Sequence, residues 1–294
     1  MVSRAGGRNS GRMAPGGREL RQLELAGRIT ERDRMICRVL YEHRVLTTSQ
    51  VADIGFDSVR KAQERLRVLF HLEVVDRFQP RSWSGSGQFH FVLGPAGAAV
   101  IAAERQTTAT QLSWHRDAAT ALATSSQLGH LVGTNGFFTA LVRSARERGG
   151  AELAEWWPQR RCAAAWGDAV RPDAYGIWVD GRRRLPLLLE YDTGSERLAR
   201  LEAKLEGYAK LARAVGYPTW VLFRFPSLGR ETSARRVLVH GAVPVATAVI
   251  FPGAAPDRAV WLATHDSGIR RRLIDLGHPS RVLDGSLHRS GLDR

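Results

Sequence analysis

The sequence predicts a mixed α/β (α+β) protein, in which an N-terminal winged helix-turn-helix precedes an α/β sandwich with a mixed sheet. Two observations lead to this prediction. Short amphipathic helices and a two-stranded hairpin follow one another up to residue 104, and strands alternate with long helices beyond Gly150. The 294 residues are enough for two ordinary domains, and a hydrophobic fraction of 44% is enough to form their cores.

The first segment, residues 1–20, is rich in arginine and glycine and has almost no large apolar side chains. Because it can bury too little surface to offset its ordering entropy, we predict a disordered basic arm, with an inert leader as the alternative. It lacks the apolar core of a secretory signal, and no run of about 20 apolar residues follows anywhere in the chain. The two cysteines, Cys37 and Cys162, exclude a disulfide framework. A cytoplasmic protein without membrane contact is expected.

Charge is the strongest global feature of the chain. Lysine and arginine number 43 against 29 aspartates and glutamates, which gives a formal net charge of +14. Such a balance attracts polyanions, and nucleic acid is the first candidate.

Three short helices are predicted at the start of a first domain that spans residues 21–104. Thr30 is a plausible N-cap for the first helix, the second follows Thr47, and Asp57 or Ser58 caps the third. The third helix directs its apolar residues inward. Its outward face carries four basic side chains: Arg60, Lys61, Arg65 and Arg67.

A hairpin follows the third helix, with strands at Val74–Phe78 and Phe89–Leu93 around a Gly/Ser-rich turn. Arg81 and Trp83 lie in that turn. In a winged helix-turn-helix the third helix enters the major groove and the hairpin contacts the DNA backbone. We therefore predict double-stranded DNA as the partner, although winged helices also serve as protein-binding modules. The predicted DNA-binding residues are Arg60, Lys61, Arg65, Arg67, Arg81 and Trp83.

The remainder of the chain divides into three predicted segments. Residues 105–133 form a connecting helix or linker, residues 134–265 form the second domain, and residues 266–294 form a basic C-terminal tail. Within the second domain, helices are predicted over residues 134–147 and 195–215. The predicted strands are Leu153–Trp157, Arg171–Val179, Leu185–Asp192, Pro218–Phe225 and Val243–Phe251.

The second and third of these strands bring carboxylates together. If Asp180 to Arg183 form the loop, Val179 pairs with Arg184, and Asp173 then lies opposite Glu190 because antiparallel partners keep a constant index sum. Asp192 shares a face with Glu190, since strand side chains alternate. Three carboxylates beside leucines repel one another unless a cation compensates, and Mg²⁺ is the expected ion. The alternative is that Asp173 and Asp192 only begin and end turns.

The next helix contributes a lysine and a tyrosine to the same region. Lys204 borders the apolar stripe of this helix, and Tyr208 lies four residues further along. Lys204 is placed to neutralise a phosphate or to orient an attacking water. In the alternative Lys204 is a solvated neighbour of Glu196, Arg200 and Glu206 on a salt-bridged helix.

Pro172-Asp173 followed by Glu190-Tyr191-Asp192 resembles the PD-(D/E)XK nuclease-like superfamily. Together with the winged helix and the helix of Lys204 and Tyr208, the pattern over residues 30–225 resembles the replication-relaxation family. Members of that family occur in bacteria, often on plasmids and integrative elements. Asp192 stands where the nuclease pattern usually has lysine, which implies that the lysine has moved to Lys204 or that the site no longer cuts.

The resemblance implies a DNA-binding protein of a plasmid or mobile element that acts in replication, transfer or its regulation. Replication or transfer proteins are the additional partners it implies. An active Mg²⁺-dependent endonuclease or nickase is the alternative, and a transcriptional regulator or protein-binding adaptor without catalysis is a further one. The implied metal ligands are Asp173, Glu190 and Asp192, and the implied catalytic set adds Lys204 and Tyr208.

Overall fold

The computed structural model describes residues 27–82, 85–167, 170–216, 219–251, 254–264 and 268–277. The predicted basic arm, Trp83, and residues 266–267 and 278–294 of the predicted tail lie outside the described residues. In the part of the chain that is described, no helix is long and apolar enough to cross a membrane.

The N-terminal unit begins with three helices: α1 (Glu31–His43), α2 (Thr48–Gly55) and α3 (Val59–His71). Each begins after a capping hydroxyl, and the side chains of Thr30, Thr47 and Ser58 accept hydrogen bonds from the first helical turns. Residues 56–58 form a three-residue turn between α2 and α3, a length typical of helix-turn-helix motifs.

A small antiparallel sheet accompanies these helices. Its strand β1 (Leu46–Thr47) lies between α1 and α2, whereas β2 (Val75–Phe78) and β5 (His90–Leu93) follow α3. Strand β5 lies between β1 and β2 in the sheet. Two further short strands, β3 (Arg81–Ser82) and β4 (Gly85–Ser86), pair with each other between β2 and β5. Helix α4 (Pro95–Glu104) completes the unit, whose elements follow the order predicted from the sequence.

The segment predicted as a connecting helix or linker is not one continuous helix. It contains α5 (Arg116–Thr120) and a short 3₁₀ helix (Ala121–Thr124), and the following α6 (Leu128–Arg148) begins earlier than predicted. Thr107 and Thr108 hydrogen-bond the side chain of Gln111. Because such side-chain hydrogen bonds compete with helical ones, this stretch turns instead of continuing as a helix.

The C-terminal unit is built on a six-stranded mixed sheet. Its strands are β6 (Ala151–Pro158), β7 (Ala174–Asp180), β8 (Arg183–Tyr191), β9 (Trp220–Phe225), β10 (Val245–Val249) and β11 (Leu262–Ala263). They lie in the order β11, β10, β9, β8, β7, β6; β8, β9 and β10 are parallel neighbours, and the other pairs are antiparallel. The predicted mixed α/β class is confirmed.

Helices cover both faces of this sheet. Phe137, Phe138 and Leu141 of α6 pack on one face. The other face is covered by α8 (Leu198–Val215) and α9 (Leu228–Leu238), and α7 (Gln159–Trp166) follows β6. Because strand side chains alternate, the buried Glu190 of β8 points to the α8 side.

Candidate functional site

The β7–β8 hairpin has the predicted register, since Val179 pairs with Arg184. Pairing extends to Asp180 and Arg183, so a two-residue turn replaces the predicted four-residue loop. Gly181 makes this tight turn possible with a φ of 60°. At the other end of the hairpin, Ala174 pairs with Leu189, which places the preceding Asp173 beside Glu190.

Asp173 lies immediately before β7 and connects three elements. Its backbone N–H donates to the carbonyl oxygen of Leu189 at 3.1 Å. Its Oδ2 accepts from the backbone N–H of Tyr191 at 2.8 Å and lies 2.9 Å from Nε2 of His130 on α6. The hydrogen bond with Asp173 raises the pKa of His130. Asp173 and His130 therefore form a hydrogen-bonded acid–base pair.

Glu190 is 3% exposed and has two partners on α8. Nζ of Lys204 lies 2.8 Å from Oε2 of Glu190, and the hydroxyl of Tyr208 donates to Oε1. Burial raises the pKa of Glu190 to about 7, and the nearby charge of Asp173 acts in the same direction. Lys204 and Tyr208 oppose that shift because they favour the ionised carboxylate.

Lys204 joins two carboxylates. Its Nζ contacts Glu190 at 2.8 Å and Glu196 at 3.0 Å, and its side chain is 30% exposed. Burial acts to lower the pKa of Lys204, but the two glutamates outweigh burial and raise it. The structure thus combines features of both sequence-based interpretations, since Lys204 contacts the hairpin and also pairs with Glu196.

Asp192 is the first residue after β8, and its side chain contacts Arg230 instead of Lys204. Its carboxylate lies 2.7 Å from the guanidinium of Arg230 on α9, and its side chain is 1% exposed. The backbone N–H of Gly194 donates to the same carboxylate. Each of the three predicted metal ligands therefore has its own partner. Within the described residues, no group of three or more His, Cys, Asp and Glu side chains is placed to hold a metal ion.

The predicted DNA-binding residues of α3 differ in their contacts. Arg60 and Lys61 are exposed and pair with Glu64 at 3.2 Å and with Asp57 at 2.8 Å. Arg67 is also exposed. Exposed ion pairs contribute little to stability, so Arg60 and Lys61 can exchange these carboxylates for other anions.

Arg65 has a role inside the N-terminal unit. Its Nε donates to Oδ1 of Asp33 at 2.9 Å, and Asp33 is 0% exposed. Burial acts to raise the pKa of Asp33, but hydrogen bonds from Arg65 and Thr30 outweigh burial and lower it. Arg65 therefore joins α3 to α1 through a buried carboxylate. Arg81 lies in β3, and the predicted contact residue Trp83 is outside the described residues.

Residues 37–220 match the replication-relaxation family. This protein belongs to the replication-relaxation family. The match covers more than half of the chain, and it includes α3, the β7–β8 hairpin and helix α8. Membership indicates a role in the replication or relaxation of a plasmid or mobile element. No curated protein and no solved structure matches the chain.

The site in this replication-relaxation protein contains two residues that the sequence analysis missed, His130 and Arg230. His130 falls in the segment predicted as a linker, and Arg230 lies on a helix far along the chain from Asp192. One nearby residue, a glycine, is related to the contact between His130 and Asp173. Gly133 lies one turn further along α6, where a Cβ atom would overlap the ring of Tyr191. Because glycine stands there, α6 approaches the hairpin closely enough for His130 to reach Asp173.

Proposed function

We propose that this member of the replication-relaxation family is a DNA-binding protein that acts in the replication or transfer of a plasmid or mobile element. The basic exposed face of α3 is the observation that carries the proposal. A second helix and a three-residue turn precede α3, as in helix-turn-helix proteins that insert their recognition helix into the major groove. The net charge of +14 supports a polyanionic partner.

The basic side chains of α3 can exchange their carboxylate partners for DNA phosphates when the protein binds a duplex. Arg60 and Lys61 pair with carboxylates of their own helix or its N-terminal turn. Both pairs are exposed, so replacing a carboxylate by a phosphate costs little stability and releases counterions from the DNA. Arg65 is excluded from this set because Asp33 holds it.

The variant R60A/K61A/R67A is expected to lose most of its affinity for duplex DNA. Phosphate neutralisation dominates such binding, so the slope of log K against log salt should decrease by about 0.9 for each phosphate that the variant no longer neutralises. Gel-shift titrations at several salt concentrations measure both quantities.

The matched control is R200A/K210A/R213A, which removes the same charge from exposed positions on α8. It should retain near wild-type affinity, and thermal melts should show that both variants are folded. Equal affinities for the two variants would show that α3 does not bind the duplex. A protein-binding adaptor would bind no duplex in any form.

We propose a metal-dependent endonuclease or nickase as the second candidate function. The observation that favours it is the cluster of Asp173, Glu190 and Lys204 at one end of the hairpin. Asp173 and Glu190 are the carboxylates that would hold Mg²⁺, and they would have to exchange contacts with His130, Lys204 and Tyr208 for the ion, whereas Asp192 stays with Arg230. Bound Mg²⁺ would polarise a phosphoryl oxygen and activate water. Lys204, which contacts Glu190, would neutralise a phosphate.

Calorimetric titration with Mg²⁺ or Mn²⁺ and cleavage of supercoiled DNA test the second candidate together. Wild type should bind the ion and cut, whereas E190Q should lose both properties and K204A should lose cleavage more than metal affinity. E206Q, which changes an exposed carboxylate on α8, is the control and should behave as wild type. A wild-type protein that binds neither ion would end the nuclease proposal and leave the DNA-binding proposal standing.

A further inference from the structure

An open groove of about 400 Å³ lies between the start of α1 and the exposed face of α3. We call it the α1–α3 groove. Its wall consists of side chains from α1, from α3 and from the turn between α2 and α3: Arg32, Phe56, Lys61, Glu64, Arg65 and Val68. Lys61 is the one wall residue that belongs to the proposed DNA-binding face of α3, so the groove opens beside that face.

Arg32 gives the α1–α3 groove a positive charge without an acidic partner. The other three charged residues of the wall, Lys61, Glu64 and Arg65, pair with groups of opposite charge. Arg32 is exposed, and no carboxylate within the described residues pairs with it. A guanidinium stays protonated in proteins, so this positive charge is permanent. The groove therefore favours an anionic ligand.

An aromatic ring holds the guanidinium of Arg32 at the turn between α2 and α3. The guanidinium lies over Phe56, 4.9 Å from the ring centroid, and Phe56 is 7% exposed. The aliphatic part of Arg32 passes close to Gly55, where a Cβ atom would lie 3.4 Å from its Cγ. Among the described residues, no protein oxygen accepts a hydrogen bond from this guanidinium. Its N–H donors are therefore available to an oxygen acceptor outside the protein.

The spacing of the two sides of the groove is fixed by the buried pair of Arg65 and Asp33. Asp33 is the residue after Arg32, and Arg65 of α3 donates to its carboxylate at 2.9 Å. Nη2 of Arg65 also donates to the carbonyl oxygen of Arg28 at 2.9 Å, which joins α3 to the backbone before α1. Lys61 lies one helical turn before Arg65 and so shares its side of α3. One cation from each helix, Arg32 and Lys61, is thus held at the groove.

The electrostatics of α1 disfavour a cation at the position of Arg32. The first turn of the helix also contains Glu31 and Asp33, whose negative charges suit the positive end of the helix dipole. Arg34 and Arg38, further along α1, both contact Glu31. Arg32 therefore opposes the dipole and lacks the compensating carboxylate of its neighbours. An anion bound in the groove would offset that cost.

We propose that the α1–α3 groove binds one backbone phosphate of duplex DNA, which Arg32 contacts from α1 and Lys61 contacts from α3. A helix in the major groove brings the elements beside it to the sugar–phosphate backbone, and phosphate contacts fix the register of the protein on the duplex. The inference rests on the proposed DNA-binding function and adds to it a contact from outside α3. Arg32 precedes residues 37–220, so the family match assigns nothing to it.

The variant R32Q should raise the Kd for duplex DNA about tenfold, since it removes a charge-assisted contact. The slope of log K against log salt should decrease by about 0.9, the value for one phosphate. The loss should be equal for two duplexes of unrelated sequence, because a phosphate contact carries no sequence information. R32K retains the charge and should retain the wild-type slope. Gel-shift titrations at several salt concentrations measure these quantities.

The matched control is R34Q, because Arg34 lies two residues further along α1 and 3.8 Å from Glu31. It should bind duplex DNA as wild type does, and thermal melts should show that both variants are folded. If R60A/K61A/R67A loses affinity while R32Q binds as tightly as R34Q, the groove contact is wrong and the proposed function stands. A loss that differs strongly between the two duplexes would indicate a base contact and overturn the assignment of a phosphate. A wild-type protein that binds no duplex would overturn both proposals.

Discussion

Replacing Arg230 with methionine is expected to lower the free energy of unfolding by about 3 kcal/mol. The substitution leaves the carboxylate of Asp192 without its cation, and that side chain is 1% exposed. Breaking a buried ion pair by removing one partner typically costs about 3–5 kcal/mol, and the partial exposure of Arg230 places this pair at the lower end. Urea unfolding at pH 7 measures the change.

The substitution D192N tests the same pair from the other side. Three mutually repelling carboxylates, as predicted from the sequence, would make D192N stabilising in the absence of metal. The structure predicts that D192N destabilises the protein, because Arg230 then loses its counter-charge. R183M is the control, since Arg183 and Asp275 form an exposed pair at 2.8 Å and its removal should cost little. A more stable D192N variant would contradict the pairing.

Replacing Lys204 with methionine is expected to destabilise the protein by about 2 kcal/mol at pH 8 and by much less at pH 5. Burial and Asp173 raise the pKa of Glu190 to about 7 even beside Lys204, and removal of Lys204 raises that pKa further. The folded variant then retains a proton that the unfolded chain releases near pH 4.5. Its free energy of unfolding must therefore fall as the pH rises from about 5 to 8, more than in wild type.

The double variant K204M/E190Q removes the titrating group and should remove this additional pH dependence. Urea unfolding of wild type, the two single variants and the double variant at pH 5 and pH 8 completes the cycle. K210M is the control, because Lys210 pairs with the exposed Glu206 on the same helix. A destabilisation of K204M that is equal at the two pH values would show that Lys204 does not compensate the charge of Glu190.

The register of the site hairpin was predictable because it depends on local chemistry. Alternation along two strands and a glycine-containing turn predicted the pairing of Val179 with Arg184, which the structure confirms. Helical periodicity likewise predicted that Lys204 and Tyr208 would both face the hairpin, and both contact Glu190. The two-residue turn differs from the predicted loop without altering the register.

The partners of the other carboxylates were not predictable in this way. Nothing near Asp192 in the sequence indicates Arg230, and nothing near Asp173 indicates His130, because helices α9 and α6 supply those side chains. Sequence spacing relates residues within one element, whereas the distance between two elements depends on side-chain packing. The contact of Tyr191 with Gly133, which brings α6 to the hairpin, is an example of that packing.

The sequence by itself determined the mixed α/β class, the hairpin register, the apolar faces of the helices and the resemblance that identified the family. These properties follow from periodicity and turn chemistry, which act over a few residues. The tertiary structure decided which basic side chain contacts each carboxylate, including the pairing of Arg65 with Asp33. It also decided that a cavity lies between the two units. Ion pairs and cavities depend on the approach of elements that are distant in the chain. Their positions follow from close packing of the whole core, and a local pattern does not specify them.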